Sequence, residues 1–215
     1  MICPRADRDE SDRRQKHCRP TASPVTLTNK EEVMEFKSFP KIARLSRDII
    51  VTEKIDGTNA SVFIGENGEF LIGSRTRWLT PEQDNYGFAK WANENKDELL
   101  KLGLGHHFGE WWGQGIQRKY GREKKIWSLF NTNKWSDDSV RPSCCDVTKV
   151  LYTGPFITES IEAILSLLVE TGSVSAPGFM KPEGIVIFHP QGNILLKKTI
   201  EGDGLPKSLQ VIKDQ

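Results

Sequence analysis

Ile49-Ile50-Val51-Thr52-Glu53-Lys54-Ile55-Asp56-Gly57-Thr58-Asn59 is an apolar run that closes on a lysine, an acid and a glycine. The β-branched residues Ile49 to Thr52 predict a strand that runs into Lys54. Asp56-Gly57 then favours a turn in which the chain doubles back closely. Two further apolar runs, Asn59 to Ile64 and Glu69 to Ile72, are separated by Gly65-Glu66-Asn67-Gly68, a hairpin signal. Taken alone, Lys-x-Asp-Gly says little, because such a tetrapeptide arises often by chance and a solvated turn lysine accounts for it.

Outward from this stretch, the chain predicts alternating short elements. Toward the N-terminus, residues 1–27 read as a disordered leader, rich in Arg, Asp and Lys and poor in large apolar groups. Cys3, His17 and Cys18 lack zinc-finger spacing. Thr28-Asn29-Lys30-Glu31 predicts a capping box for a short helix bearing Val33, Met34 and Phe36. Toward the C-terminus, Thr80-Pro81-Glu82 predicts a helix start, with Phe88, Trp91, Ala92, Leu99 and Leu102 on one face and Gly103 as its stop. Lys125 to Phe130 reads as a strand and Pro142 to Asp146 as a surface loop. Thr158 predicts the cap of a helix carrying Ile161, Ile164, Leu165 and Leu168, closed by Gly172. Gly184 to Phe188 and Asn193 to Thr199 read as strands joined by His189-Pro190-Gln191-Gly192. Strands outnumber helices and their connections are short, so the expected class is α+β, with antiparallel sheets and flanking helices.

The 215 residues are 37% hydrophobic and 27% charged, the balance of a soluble globular domain. A net charge of +1 does not suggest a protein that binds nucleic acid mainly through a basic field, and leaves room for a local groove. The four cysteines show no disulfide framework, and neither a signal peptide nor an 18-residue apolar run is present. A cytoplasmic, membrane-free protein is the expectation.

Several groups line up behind Lys54. Gly73-Ser74-Arg75 comes first, then Phe108-Gly109-Glu110-Trp111-Trp112-Gly113 and Ser128-Leu129-Phe130-Asn131-Thr132. Pro182-Glu183-Gly184-Ile185-Val186-Ile187 follows, and Leu195-Leu196-Lys197-Lys198 closes the series. In this order they resemble the motifs called I, III, IIIa, IV and V of the covalent nucleotidyltransferase superfamily of ATP-dependent ligases and capping enzymes. Within it the sequence looks most like the RNA ligase family, over roughly Pro40 to Lys207. The resemblance implies an ATP-grasp-like ligase adenylation domain spanning residues 28–207, with a short tail over 208–215.

What the resemblance implies for individual residues has a physical basis in each case. Lys54 matches the nucleophile that takes AMP from ATP as a lysyl-AMP intermediate. A lysine amine is almost wholly protonated at neutral pH, so the site must favour its neutral form, which Lys197 and a bound Mg²⁺ (or Mn²⁺) would do. Glu53 is expected beside the nucleotide, and Asp56 is expected to orient the amine or hold metal-bound water. Gly57 would let the backbone pass close to the nucleotide. Asn59 matches a position tied to the activated end, and Arg75 one that contacts ribose or phosphate. Glu110 would bind the ribose hydroxyls, Phe130 would stack on adenine, Glu183 would bind metal, and Lys197 would neutralise the α-phosphate.

Blander readings stand beside these. Phe130 in an apolar strand is ordinarily core, Glu183-Gly184 ordinarily a turn, and Trp111 and Trp112 ordinarily packing residues. His106 and His107 near Glu110 suggest a metal site, but neighbours on a strand point to opposite faces. Arg118, Lys119, Arg122, Lys124 and Lys125, with Tyr120 inside the run, suit either a solvated face or RNA backbone contact.

The sequence departs from the family pattern in two places. Motif V often carries two lysines with one residue between, whereas Lys197 and Lys198 are adjacent. Strand alternation puts Lys197 in the site and turns Lys198 away. The chain also ends at Gln215, soon after Lys198, so neither an OB-fold nor a helical C-terminal module is expected. A protein partner supplying that surface is one expectation, with RNA as the substrate, including nicked duplexes. A DNA ligase core and a non-catalytic nucleotide- or RNA-binding relative are the alternatives.

Overall fold

The computed structural model describes residues 36–204. The leader, the zinc-ligand candidates, the Thr28 helix up to Glu35 and the tail lie outside the described residues; Phe36 is described, exposed and irregular. The chain divides into a unit over Met1–Pro40 and a unit from Lys41 onward, and the fold below is that of the second.

Two sheets form this unit. The first has the order β10-β9-β1-β8, from β1 (Asp48–Lys54), β8 (Val150–Pro155), β9 (Gly184–His189) and β10 (Ile194–Thr199). The second has the order β4-β3-β2-β5-β6-β7, from β2 (Thr58–Ile64), β3 (Phe70–Ser74), β4 (Trp78–Leu79), β5 (Gly105–Gly113), β6 (Lys125–Leu129) and β7 (Cys145–Val147). The class is α+β, as expected. Every pairing is antiparallel except β6 with β7.

Alternation along β1 sets the layers. Ile49, Val51 and Glu53 point to a buried face, where Ile185 and Ile187 of β9 join them beneath α4 (Thr158–Thr171), which contributes Ile161 and Leu168. Burial of those side chains, at about 1.5–3 kcal/mol each, fixes the register, because a one-residue slip would expose the set. On the second sheet Ala60, Val62 and Ile64 pack with Trp111, Trp127 and Leu129 against α1 (Phe88–Glu94), α2 (Lys96–Leu99) and Trp135 of the short α3 (Thr132–Trp135). Trp111 and Trp112 are both buried, in keeping with their packing reading.

The structure corrects four local expectations. The helix after Pro81 begins only at Phe88; residues 80–87 are turns, and the Asp84 carboxylate accepts from the backbone N–H groups of Ala89 and Lys90. The run to Leu102 is broken at Asn95 (φ −108°) and ends in a 3-10 turn before Gly103. Pro142–Asp146 is not all surface loop: Cys145 is buried and pairs with Trp127, a three-residue strand too short for alternation to reveal. Thr158 is the first residue of α4, and Ile157 caps it without a side-chain bond.

Candidate active site

β1 ends in the first sheet and β2 begins in the second, so Ile55-Asp56-Gly57 is a corner joining the two. A Cβ on Gly57 would lie 2.5 Å from the Trp111 carbonyl oxygen and 2.7 Å from Trp112 Cβ, so only glycine permits this approach. Ile55, Trp112, Tyr120 and Ala176 fill a small core beneath the corner. The Tyr120 hydroxyl accepts from the Asp56 backbone N–H at 2.8 Å, and burial pushes that phenol above its usual range.

Lys54, the last residue of β1, lies on the face opposite the α4 core. Its Nζ is 2.6 Å from Glu183 Oε2; the lysine side chain is 21% exposed and the glutamate 3%. Lys54 pairs with Gly184 and Thr52 with Val186, which in turn pairs with Lys197. Lys197 therefore shares the face of Lys54. Lys198 lies opposite Ile185 on the other face, where its Nζ is 3.0 Å from Glu162 of α4. The immediate partner of Lys54 is thus a carboxylate, with the expected cation two strands away.

Glu110 of β5 is supplied by the second sheet. Its carboxylate accepts from the Gly57 backbone N–H and from Asn59 Nδ2, both at 3.0 Å. Burial raises its proton affinity most, Glu183 adds to this, and the Gly57 hydrogen bond and Lys54 oppose it, leaving a pKa of about 7. Phe130, directly after β6, is exposed rather than in the core, and its N–H donates to the Phe108 carbonyl. Arg75 is exposed one residue beyond Ser74, which pairs with Ala60 next to Asn59.

Two expected site residues are tied into the frame. Glu53 is 1% exposed on the α4 face, accepting from Ser173 Oγ at 2.5 Å and from the Ser175 N–H at 2.7 Å. Strand alternation carries it away from Lys54, so it anchors the loop after α4. Asp56 accepts from Arg118 Nε at 3.2 Å, and the same guanidinium donates to the Lys181 carbonyl at 3.0 Å. Asp56 therefore ties the corner to the segment entering Glu183, a role for Arg118 that sequence alone did not signal. Arg122 lies over the Trp112 ring, 4.6 Å from its centroid, and Lys125 Nζ donates to the Tyr86 carbonyl, so three members of the basic run are structural. His107 is buried against the Gly103 carbonyl while His106 is exposed, and no group of three or more His, Cys, Asp or Glu able to hold a metal occurs among the described residues. No described helix is long and apolar enough to cross a membrane.

A lysine at the corner of two sheets is thus met by Glu183 and Lys197 from one and by Glu110 from the other, in a chain of the nucleotidyltransferase superfamily. Within it the chain belongs to the RNA ligase family, whose profile matches residues 47–199. The solved structures it resembles include variants of the Naegleria gruberi RNA ligase. One, with ATP and Mn, has TM-score 0.57 and 18% identity over 80% of this chain and 53% of that one. Another, with AMP and Mn, has TM-score 0.56 and 18% identity over the same shares, 80% and 53%. The same enzyme with PPi gives TM-score 0.55 and 19% identity over 79% and 53%. At such identity they show the fold alone, and the chain spans about half their length. No curated relative matches the sequence.

Proposed function

We propose that this chain joins RNA ends at the expense of ATP through a lysyl-AMP intermediate. The observation that carries the reading is the Lys54–Glu183 contact, with Glu110 held at the same corner by Gly57 and Asn59. Lys54 Nζ bonds to the α-phosphorus of ATP as the bond to the bridging oxygen breaks and pyrophosphate leaves. Glu183 Oε2, within hydrogen-bond reach, is the nearest acceptor for the ammonium proton. Lys197, on the same face, offsets charge growing on the α-phosphate.

Glu110 in its ionised form accepts from the ribose hydroxyls, and the exposed Phe130 ring stacks on adenine. A 5′-phosphate oxygen of RNA then attacks the adenylate phosphorus, freeing Lys54, and a 3′-hydroxyl displaces AMP. Glu183, beside Lys54, is the carboxylate that would hold a divalent cation; with no three-ligand protein site among the described residues, Mg²⁺ or Mn²⁺ would take its remaining ligands from phosphate and water, opposing a protonated Lys54.

Incubation with α-labelled ATP and Mg²⁺ tests the reading. Wild type acquires covalent label, while Lys54→Ala and Glu183→Ala do not. Folded wild-type protein that takes no label sinks the reading, and full labelling of Glu183→Ala removes Glu183 from it. Nicked substrates with ribose or deoxyribose on the 3′-hydroxyl side then separate RNA from DNA sealing.

A further inference from the structure

With Arg118 and Arg122 engaged inside the fold and a net charge of only +1, a long-range basic field offers little hold on a nucleic acid. The face of the second sheet that carries Glu110 offers another. Trp78 of β4 and His106 and Phe108 of β5 form a row of rings. The Trp78 and His106 centroids are 5.7 Å apart with planes 28° from parallel, and those of His106 and Phe108 are 4.1 Å apart at 34°.

Register places the row. Trp78 pairs with Gly73, Gly73 with Ser61, and Ser61 with Phe108, which is two residues from Glu110 and on its face. Gly73 makes room for the indole, since a Cβ there would meet Ser61 Oγ at 2.6 Å and the Trp78 ring at 3.2 Å. Trp78 and Phe108 are each 52% exposed. Partial burial holds His106 below its usual range, which favours its neutral form. The exposed Arg75 and Arg77, in the turn before β4, set positive charge beside it. Large rings are usually hidden, and the outward sides of Trp78 and Phe108, at the two ends of the row with His106 stacked between them, suit bases, all of which have a π-face.

We infer that Trp78, His106 and Phe108 form a stacking platform for unpaired bases of the RNA whose end is joined at Lys54. The position of that end rests on the proposed chemistry; the base contacts do not.

Fluorescence anisotropy of a labelled, 5′-phosphorylated single-stranded oligoribonucleotide on the full chain tests the platform. Trp78→Ala and Phe108→Leu should each weaken binding about 5- to 100-fold. The loss should persist as salt rises, because stacking releases no counterions. Trp78→Phe, which keeps a ring, should restore most of the affinity, and label transfer from ATP should match wild type in all three variants. An oligonucleotide with abasic sites should bind wild type as weakly as the intact one binds the variants. Affinities within twofold of wild type in both Trp78→Ala and Phe108→Leu overturn the platform and leave the row to a protein partner or to its own packing. Variants that lose as much affinity for the abasic strand as for the intact one overturn it too. Ring-dependent binding by a protein that takes no label keeps the platform and sinks only the chemistry.

Discussion

Replacing Glu110 by glutamine separates what this carboxylate does for chemistry from what it costs the fold. Burial raises its pKa from an ordinary 4.5 to about 7. A pKa raised in the folded state means that stability is fully present below 4.5, where Glu110 is neutral whether folded or not. It declines as pH rises, because the unfolded chain ionises first, and the loss is complete above about 7. At about 1.4 kcal/mol per pH unit the decline amounts to about 3 kcal/mol. E110Q keeps an oxygen for the Gly57 N–H, and the Asn59 amide can turn its own oxygen toward the new amide, so both contacts survive without the charge. Thermal melts from pH 4.5 to 8.5 should show the two proteins close at the acid end. E110Q should melt higher at the alkaline end by roughly 6–12 °C for a domain of this size. Its labelling with α-labelled ATP should fall, since a neutral amide is the poorer acceptor for ribose hydroxyls. A difference in melting temperature that is constant with pH would refute the reasoning, because Glu110 would then be titrating at its ordinary value.

Glu53→Ala leaves Ser173 Oγ and the Ser175 N–H without their acceptor in a dry site and should cost about 3 kcal/mol in chemical unfolding; Lys54→Ala, which removes the cation beside the buried Glu183 carboxylate, should also melt below wild type. Gly57→Ala drives a methyl against the backbone of β5 and should destabilise by about 2 kcal/mol or more, with labelling abolished even where circular dichroism reports a folded protein. Lys197→Ala should abolish labelling whereas Lys198→Ala, which removes an ion pair with Glu162 on the far face, should label as wild type does; the reverse pattern would show that β10 pairs one residue out of register.

Much of the first sheet was legible because its strands are apolar runs with sharp ends: Ile49 to Lys54, Gly184 to Phe188 and Asn193 to Thr199 fall within two residues of β1, β9 and β10. Alternation also puts Lys197 and Lys198 on opposite faces, as they lie in β10. The same rule sends Glu53 to the α4 side, away from Lys54. β8 and β7 went unread because Val150–Pro155 and Cys145–Val147 are short and mixed, and their place is set by partners far along the chain. The role of Arg118 could not be seen in a run of basic residues, since only folding brings it against Asp56 and the carbonyls ahead of Glu183. The Trp78–His106–Phe108 row depends on cross-strand register and on a glycine between two strands, neither of which local pattern records.

The main chain passes between the two sheets at 55–57 and again at 148–149, and the Glu53 N–H donates to the Lys149 carbonyl, so both crossings lie side by side. The sheets thus share a spine along one margin, and Lys54 stands directly on it. A nucleotide that reached Lys197 and Glu110 together would brace the two halves like a strut across an open book. Attachment to Lys54 would keep that strut fastened at its inner end while the outer end stayed free to meet the strand being sealed.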